Sequence, residues 1–267
     1  MAVDISKLSP APLKVTDWEV TFLNPLSTTA TVPRALIILN QPFSRNLLDT
    51  LWSACSWRCC ADGGGNRLFD LLEQTEGDVD SQRTKYLPDL IKGDMDSLRA
   101  DVRKYYSSKG VPVLHDPDQY STDLMKCVQA LEEKEKSEGQ QYELLILGGL
   151  SGRLDQTAHT LSYLHKLRRT RSKVYAITDD NIAWVLDQGE HHIHIDHAVL
   201  GVTCGILPFG VNSTVLSTSG LRWNLDAVES SFDGLISTSN HLVLEERIVT
   251  IKTTQPIWWC AELRKKD

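Results

Sequence analysis

The sequence predicts an α/β fold in which a mainly parallel, Rossmann-like sheet carries helices on both faces and is followed by a C-terminal antiparallel β-sandwich. The continuous aliphatic run at residues 35–39 is typical of a strand buried on both faces. Segments with strand character then alternate with segments of helical spacing up to about residue 180. Beyond residue 187 the chain shows alternation, turns and little helical spacing, which is typical of antiparallel sheets.

The predicted elements follow from apolar spacing and from turn residues. In the first part we predict strands at 35–39, 57–61, 88–91, 111–114, 142–147 and 173–177. Between them we predict helices at 43–53, 66–73, 96–107 and 154–167, together with a helix that Ser121 or Thr122 caps and that runs to about Lys136. In the second part we predict strands at 192–195, 199–207, 213–217, 234–237 and 248–252.

These elements divide the chain into three predicted parts. Residues 1–32 are an N-terminal extension that we expect to be poorly ordered, residues 33–185 form the α/β domain, and residues 186–267 form the β-sandwich domain. The first 32 residues lack the pattern of a secretory signal, and no run is apolar enough to span a bilayer. We therefore expect a cytoplasmic protein without a membrane partner.

Charge and cysteine content narrow the class of protein further. The net charge is -7 and no long basic run occurs, which argues against a nucleic-acid partner. The six cysteines form no CxxC pair, so reduced thiols are the simplest interpretation. Cys59 and Cys60 are adjacent on a predicted strand, and their side chains should therefore point to opposite faces.

Five aspartates lie in four short loops, each after an apolar run or a short predicted strand: Asp62, Asp94, Asp96, Asp123 and Asp155. Ligands of an open α/β sheet bind outside the carboxyl ends of its strands, so we expect these side chains to gather there. Clustered carboxylates repel one another unless a cation lies between them, and Mg²⁺ prefers oxygen ligands that it shares with phosphates. The pattern predicts a Mg²⁺-dependent enzyme that acts on a nucleotide.

The first two loops each allow a structural alternative. Gly63, Gly64 and the following glycine let a backbone approach phosphate at a helix N-terminus, or they form only a tight strand-to-helix turn. Asp94 and Asp96, one residue apart, suit a shared metal. Alternatively, Asp96 caps the next helix and Asp94 closes an Asx turn.

The third loop combines a proline turn with a helix start. Asp123 lies in the first helical turn, where a carboxylate suits the helix dipole and also suits a metal. Gln119 is a neutral donor and acceptor that fits the edge of a polar ring. Lys126 lies one turn after Thr122 and could reach a phosphate, although an exposed surface position is the simpler interpretation.

The fourth loop places three glycines within residues 148–152, just before Arg153 and Asp155. The Arg153 guanidinium offers a fork for phosphate oxygens, and Asp155 could add a metal ligand or orient that guanidinium. The alternative is an exposed Arg–Asp pair at a helix start.

Two further motifs in the C-terminal part are ambiguous. Trp223 lies in a polar stretch and could stack on a flat ring. From these residues alone, we favour the alternative that Trp223 is a core tryptophan in a hydrogen-bonded turn. Four histidines, at positions 191, 192, 194 and 197, are dense enough to suggest a metal. His192 and His194 fit better as the exposed face of a strand whose Ile193 and Ile195 point inward.

The motifs occur together in an order that resembles eukaryotic thiamine pyrophosphokinases, from about Ala35 to Trp259. The resemblance rests on Ile38-Leu39-Asn40-Gln41-Pro42, Ala61-Asp62-Gly63-Gly64-Gly65-Asn66-Arg67-Leu68, Gly93-Asp94-Met95-Asp96-Ser97, Asp118-Gln119 with Thr122-Asp123, Leu147-Gly148-Gly149 with Gly152-Arg153-Leu154-Asp155-Gln156, and Gly220-Leu221-Arg222-Trp223-Asn224-Leu225 with Ser237-Thr238-Ser239-Asn240. It implies transfer of the β,γ-diphosphate of ATP to thiamine, which gives thiamine diphosphate and AMP. It also implies Mg²⁺, ATP as co-substrate, and a homodimer whose active sites lie between the α/β domain of one subunit and the β domain of the other.

The resemblance implies roles for individual residues. The residues implied in catalysis are Asp94, Asp96, Asp123, Arg153 and Asp155, of which Asp94, Asp96 and Asp123 bind the metal. The residues implied in nucleotide binding are Asn40, Asp62, Gly63, Gly64 and Arg153. Lys126, which could reach a phosphate, is also predicted to bind the nucleotide. Those implied in thiamine binding are Gln119 and, from the partner subunit, Trp223, Ser237 and Asn240. Either Asp96 or Asp123 accepts the hydroxyl proton.

Two positions depart from the family pattern. Tyr120 stands where many members carry an acid, so the role of that acid does not transfer, and Gly65 replaces a common alanine. Two rival functions keep the acidic cluster: a Mg²⁺-dependent nucleotide phosphohydrolase, and a non-catalytic sensor of thiamine or nucleotide. The number of carboxylates, together with Arg153, argues against the sensor.

Overall fold

The computed structural model describes residues 15–24, 32–73 and 78–264. The α-helices in these ranges are α1 (Arg45–Ala54), α2 (Gly64–Glu73), α3 (Val79–Lys85), α4 (Ala100–Ser108), α5 (Asp123–Glu138) and α6 (Leu154–Leu167), and a short 3-10 helix spans Thr21–Leu23. The strands are β1 (Val15–Trp18), β2 (Arg34–Ile38), β3 (Trp57–Ala61), β4 (Leu90–Gly93), β5 (Val113–His115), β6 (Glu143–Leu147), β7 (Val174–Ile177), β8 (Asn181–Leu186), β9 (Gly189–His194), β10 (Leu200–Leu207), β11 (Ser213–Ser219), β12 (Val228–Ser231), β13 (Ser237–His241), β14 (Ile248–Thr253) and β15 (Ile257–Leu263).

A mixed sheet of ten strands runs through the molecule, and its strand order is β13-β10-β15-β8-β7-β6-β2-β3-β4-β5. The strands from β7 to β5 in this order pair in parallel. The strands from β8 to β13 pair antiparallel with their neighbours. β2 lies between β3 and β6, so the chain leaves β2 in one direction and later returns to its other side. This reversal makes β2 the switch point at which α/β sheets bind ligands.

Helices cover both faces of the parallel strands. Leu36 and Ile38 of β2 belong to the core that includes side chains of α1, α2 and α4. Ala35 and Ile37 of the same strand belong to the core on the other face, with side chains of α5 and α6. The two-face alternation also separates the adjacent cysteines of β3: Cys60 lies in the first core and Cys59 in the second, which confirms their predicted opposite orientation.

The C-terminal part is rich in strands. A second sheet, in the order β1-β9-β14-β11-β12, packs against the antiparallel end of the ten-stranded sheet. Ile193 and Ile251 of the second sheet share a core with Trp184 and Trp259 of the first. The antiparallel strands β8, β15, β10 and β13 therefore continue the parallel sheet that carries the helices, and the second sheet packs against them. The sequence did not predict this continuity.

The N-terminal segment is not a loose extension where the structure describes it. Val15–Trp18 pairs in parallel with β9, and the Trp18 indole N–H donates to Nδ1 of the buried His191 at 3.0 Å. The expectation of poor order is therefore wrong for residues 15–24, whereas residues 1–14 and 25–31 lie outside the described ranges. His192 and His194 lie on the more exposed face of β9 while Ile193 points inward, as predicted.

Several elements differ from the predictions for identifiable reasons. α3 was not predicted because none of its residues is buried, so it carries no apolar periodicity. β8 and β15 were missed as well, although both are largely buried. The predicted strand at 234–237 is wrong at 234–236, since β13 begins at Ser237. No helix in the described part of the chain is long and apolar enough to cross a membrane.

Candidate active site

A cleft opens at the carboxyl ends of β2, β3, β4 and β6, beside the switch point at β2. It encloses a cavity of about 750 Å³. The predicted site residues that line it are Asn40, Asp62, Gly63, Asp94, Asp96, Gln119, Asp123 and Arg153. The predicted residues that do not line it are Gly64, Lys126, Asp155, Trp223, Ser237 and Asn240.

Three carboxylates converge in this cleft. Oxygen atoms of Asp62, Asp94 and Asp123 all lie within 4.8 Å of one another. They come from three loops, after β3, after β4 and at the start of α5, that only the folded sheet brings together. Hard oxygen donors at this separation suit a divalent cation such as Mg²⁺.

Asp62 is held rigidly by the backbone that follows β4. Its two carboxylate oxygens accept the N–H groups of Ser97 and Leu98 at 2.9 Å and 3.0 Å. Burial raises the pKa of Asp62, and these two hydrogen bonds oppose that rise. Asp62 also has a positive φ of 41°, which an aspartate tolerates better than most residues do.

Asp94 and Asp123 are joined through the main chain. The Asp94 N–H donates to Oδ1 of Asp123 at 3.2 Å, while Oδ1 of Asp94 accepts the N–H of Asp96 at 3.2 Å. The hydrogen bond from Asp96 to Asp94 is the Asx turn predicted as a structural alternative. Asp94 forms this turn and is also one of the three converging carboxylates. Burial raises the pKa of Asp123, and the charges of Asp94 and Asp62 raise it further.

Gly93 makes this convergence possible. A Cβ atom at this position would lie 2.6 Å from Cβ of Asp62 and 2.8 Å from Oδ1 of Asp123. Any larger residue would push two of the three carboxylates apart. No role for Gly93 follows from the sequence, because only the folded structure shows what its missing side chain leaves room for.

Asp96 is exposed and is not one of the three converging carboxylates. Its Oδ1 accepts the Ser97 hydroxyl at 2.8 Å, and this bond lowers the pKa of Asp96. The alternative in which Asp96 caps the next helix is wrong, because α4 begins at Ala100 with Arg99 at the N-cap position. Asp96 nevertheless lines the cavity.

Lys126 lies beneath the carboxylates and not on the surface. Its side chain is 1% exposed, and its Nζ is 3.6 Å from Oδ1 of Asp123. The expectation of a surface lysine is therefore wrong. Lys126 lies off the apolar face of α5 that Leu124, Cys127 and Val128 form, so helical periodicity gave no sign of its burial. It follows Asp123 by three residues, which makes the two side chains neighbours on the helix, and its charge faces that acid.

The glycine loop after β6 is fixed by Gln41, a residue for which the sequence alone predicts no individual role. Gln41 Oε1 accepts the Gly149 N–H at 2.8 Å and the Ser151 hydroxyl at 2.9 Å, and its Nε2 donates to the Ser151 carbonyl. Gly148, Gly149 and Gly152 all have positive φ. The amide of Gln41 thus shapes one wall of the cavity.

Arg153 and Asp155 form an exposed ion pair at the start of α6. The Arg153 Nη2 lies 2.6 Å from Oδ2 of Asp155, with side chains 75% and 63% exposed. This is the alternative that the sequence left open. Arg153 still lines the cavity, whereas Asp155 lies outside the carboxylate trio.

The two glycines after β3 do different things. A Cβ at Gly63 would lie 2.3 Å from Nδ2 of Asn40, so Gly63 makes room for that amide. A Cβ at Gly64 would lie 2.2 Å from the Ile38 carbonyl oxygen, so Gly64 lets α2 pack closely on β2. Both glycines therefore have packing roles, and the approach of this loop to phosphate stays a prediction.

The predicted thiamine-binding residues of the C-terminal part lie apart from the cavity. Trp223 is 52% exposed, so the favoured interpretation of a core tryptophan is wrong. The buried Asn240 supports its loop: Asn240 Oδ1 accepts the Trp223 N–H at 3.2 Å, and its Nδ2 donates to the Trp223 carbonyl at 2.8 Å. Ser237 lies opposite Ile206 in the ladder between β10 and β13.

A cleft at the switch point of a parallel sheet, lined by converging carboxylates and glycine turns, is typical of α/β enzymes that handle a phosphorylated nucleotide. Comparison with protein families gives the particular family. The model described as "Thiamin pyrophosphokinase, catalytic domain" matches residues 48–176, and "Thiamin pyrophosphokinase, vitamin B1 binding domain" matches residues 190–258. The chain belongs to the thiamin pyrophosphokinase family.

Individual relatives agree with this assignment. The chain is 39% identical over 250 residues to Thiamine pyrophosphokinase 1 of Arabidopsis thaliana, covering 91% of this chain and 92% of the relative. It is 38% identical over 245 residues to Thiamine pyrophosphokinase 1 of Oryza sativa subsp. japonica, covering 90% and 91%. The crystal structure of yeast thiamin pyrophosphokinase superposes with a TM-score of 0.82 at 27% identity, covering 94% of this chain and 92% of that one.

Proposed function

We propose that this protein is an ATP:thiamine diphosphotransferase, which transfers the β,γ-diphosphate of ATP to the hydroxyl of thiamine and releases thiamine diphosphate and AMP. The observation that carries the proposal is the convergence of Asp62, Asp94 and Asp123 in a chain of this family. The thiamine oxygen attacks the β-phosphorus, the bond from that phosphorus to the oxygen of the α-phosphate breaks, and AMP leaves with that oxygen.

We assign Mg²⁺ to the carboxylate cluster, with Asp94, Asp96 and Asp123 as the proposed ligands and Asp62 beside them. The residues present fit this ion, since Asp94 and Asp123 converge with Asp62, Gly93 leaves space between Asp62 and Asp123, and Asp96 lines the same cavity outside this trio. When bound, the ion neutralises charge on the phosphates.

The protein's own residues supply orientation and proton transfer in this proposal. Asp96 or Asp123 accepts the thiamine hydroxyl proton as the new oxygen–phosphorus bond forms. Arg153 leaves its ion pair with Asp155 and binds phosphate oxygens, for which its fork geometry is suited. Lys126 holds positive charge beneath the cluster, and Gly63 and Gly64 bring the start of α2 to the nucleotide.

We further propose a homodimer in which each active site is shared. Gln119 on the cavity wall would face the aminopyrimidine of thiamine, while Trp223, Ser237 and Asn240 would come from the partner subunit. The 52% exposure of Trp223 supports this arrangement, because a half-exposed indole offers a surface for stacking. In this proposal the Rossmann-like part, residues 33–185, binds ATP, and residues 186–267 form the β-sandwich that binds thiamine and dimerises.

We propose a cytoplasmic location from the state of the cysteines. All six are free thiols, which suits a reducing compartment such as the cytoplasm.

A single assay tests the function. Purified protein is incubated with ATP, Mg²⁺ and thiamine, and AMP and thiamine diphosphate are measured. We expect AMP to appear only when thiamine is present, in step with thiamine diphosphate. Release of ADP or inorganic phosphate without thiamine would instead indicate a phosphohydrolase, and thiamine binding without turnover would indicate a sensor.

The shared site makes a prediction about mixed dimers. Trp223→Ala and Asp94→Asn subunits should each be nearly inactive as homodimers, because each lacks one half of every site. Co-expressed, they should recover about a quarter of wild-type turnover, since about half of the dimers are mixed and one of two sites in each is intact. The measurement is thiamine-dependent AMP release by the co-purified mixture. No recovery would mean that each site is built within one chain.

The loop-fixing role of Gln41 makes a separate prediction. Gln41→Ala removes three hydrogen bonds to the loop after β6 and should lower kcat/KM about 10- to 100-fold through misplacement of that wall. Stability should fall by only about 1 to 2 kcal/mol. Gln129→Ala is the control, because Gln129 is exposed on α5, lies outside the cavity and donates a hydrogen bond to Glu133 on the same helix. Unchanged kinetics in Gln41→Ala would contradict the assigned role.

A further inference from the structure

Three cations lie in or under the walls of the cavity, and they differ in their partners. Arg153 is bound to Asp155 at 2.6 Å, and Lys126 lies 3.6 Å from Asp123. Arg67 also lines the cavity, yet in the described ranges no carboxylate lies within ion-pair distance of it. Its hydrogen bond is to a neutral group instead: Arg67 Nε donates to Asn40 Oδ1 at 2.9 Å.

This hydrogen bond orients the guanidinium without neutralising it. A guanidinium carries five N–H donors, and the bond to Asn40 uses one of them. An exposed arginine would ordinarily be free to sample many rotamers, and fixing it through Nε leaves a directed cation at the cavity wall.

Two other features of the fold are arranged around this pair. Gly63 lacks the Cβ atom that would lie 2.3 Å from Asn40 Nδ2 and 2.8 Å from Asn40 Cγ, so its absence admits the amide that holds Arg67. Arg67 itself lies in the first turn of α2, whose N-terminus faces the same cleft. The helix dipole and the guanidinium therefore favour the same kind of ligand, an anion.

We infer that Arg67 binds the phosphate chain of ATP and that Asn40 is its positioning residue, acting through Arg67 and not by its own contact with the nucleotide. The inference rests on the proposed function, and it revises the role expected for Asn40. Arginine suits this task because its fork matches two phosphate oxygens at once, and because its charge opposes that of the polyphosphate.

The test compares KM for ATP with KM for thiamine in single variants. Arg67→Gln should raise the KM for ATP about 10- to 100-fold, the range expected for loss of a charge-assisted hydrogen bond, and leave the KM for thiamine within about twofold. Arg67→Lys should be intermediate, because it keeps the charge and loses the fork. Arg103→Gln is the matched control, since Arg103 is an exposed arginine of α4 outside the cavity.

A double-mutant cycle separates the two roles. Asn40→Ala alone should raise the KM for ATP about 3- to 10-fold. Added to Arg67→Gln, it should change the KM for ATP no further, because the residue through which Asn40 acts is already gone. Multiplying effects would mean that Asn40 contacts the nucleotide directly and would overturn its positioning role. An unchanged KM for ATP in Arg67→Gln would overturn the inference as a whole.

Failure of the inference is distinguishable from failure of the proposed function. Calorimetric titration with ATP and Mg²⁺ needs no turnover, and Arg67→Gln should weaken binding there by the same factor. If the wild type makes no thiamine-dependent AMP and this loss of affinity is still seen, the proposed function fails while Arg67 remains a phosphate-binding residue. If Arg67→Gln does not fold, as judged by circular dichroism, Arg67→Lys in the same titration decides.

Discussion

Asp94→Asn should lower thiamine-dependent turnover at least about 100-fold and leave the fold intact. The size follows from the proposed role of Asp94 as a ligand of the Mg²⁺ that neutralises the phosphates, since loss of one preorganised electrostatic group typically costs about 10²- to 10³-fold in rate. The fold should survive because Asp94 is only half-buried, and an asparagine Oδ1 can still accept the Asp96 N–H that closes the Asx turn. The measurement is AMP release at saturating ATP and thiamine.

The same variant should also change the response of stability to Mg²⁺. Without the ion, Asp94→Asn should be as stable as the wild type or slightly more so, because one of three mutually repelling carboxylates has lost its charge. With Mg²⁺, the wild type should gain in Tm and the variant should gain less, since a ligand that binds only the folded state stabilises it.

Asp101→Asn is the matched control for this pair of measurements. Asp101 lies in the first turn of α4, outside the cavity, and should leave turnover and the Mg²⁺ response at wild-type values. Near-normal turnover of Asp94→Asn would remove Asp94 from the catalytic cluster. A full Mg²⁺ response in that variant would remove it from the metal site.

Lys126→Met should destabilise the Mg²⁺-free protein by about 2 kcal/mol. Breaking a fully buried ion pair typically costs 3–5 kcal/mol, and the cost is smaller here because the Asp123 side chain is 30% exposed. Methionine has an unbranched side chain of similar length, so the change removes charge and not packing. Urea unfolding without Mg²⁺ measures the effect.

Two comparisons show whether this loss is electrostatic. Mg²⁺ should restore part of the lost stability, because the ion supplies the positive charge that the acids have lost. Lys126→Met combined with Asp123→Asn should be less destabilised than Lys126→Met alone, since no uncompensated charge remains on that pair.

The control for Lys126 lies on the same helix. Lys134 pairs with Glu138 at the surface of α5, and Lys134→Met should cost no more than about 0.5 kcal/mol. A similar loss in both lysine variants would mean that the helix, and not the acid cluster, is the source of the effect. A cost in Lys126→Met that Mg²⁺ leaves unchanged would have the same meaning.

The elements that could be predicted are those with a local hydrophobic pattern. The aliphatic run of β2 and the helical spacing of α6 predicted the bounds of these two elements closely, because burial on both faces of a strand or on one stripe of a helix produces a regular apolar pattern. α3 has no such pattern, since none of its residues is buried. β1 was missed because only Trp18 of its four residues is buried, which leaves no apolar alternation to recognise.

The candidate site divides in the same way. Asp62, Asp94 and Asp123 were recognisable because acids in loops after strands gather at one edge of a sheet. Gly93 and Gln41 were not assigned roles, because the role of each depends on atoms from other loops: the side chains of Asp62 and Asp123 in one case, and the backbone after β6 in the other.

The sequence by itself determined the class of fold, the family, and the residue types of the site, because periodicity and ordered motifs are properties of a single chain. Only the tertiary structure decided which charges meet. It buried Lys126 beneath the acids, exposed Trp223, and bound Arg67 to Asn40. The physical reason is that burial and electrostatic pairing depend on distances between elements remote in sequence, and no local pattern records those distances.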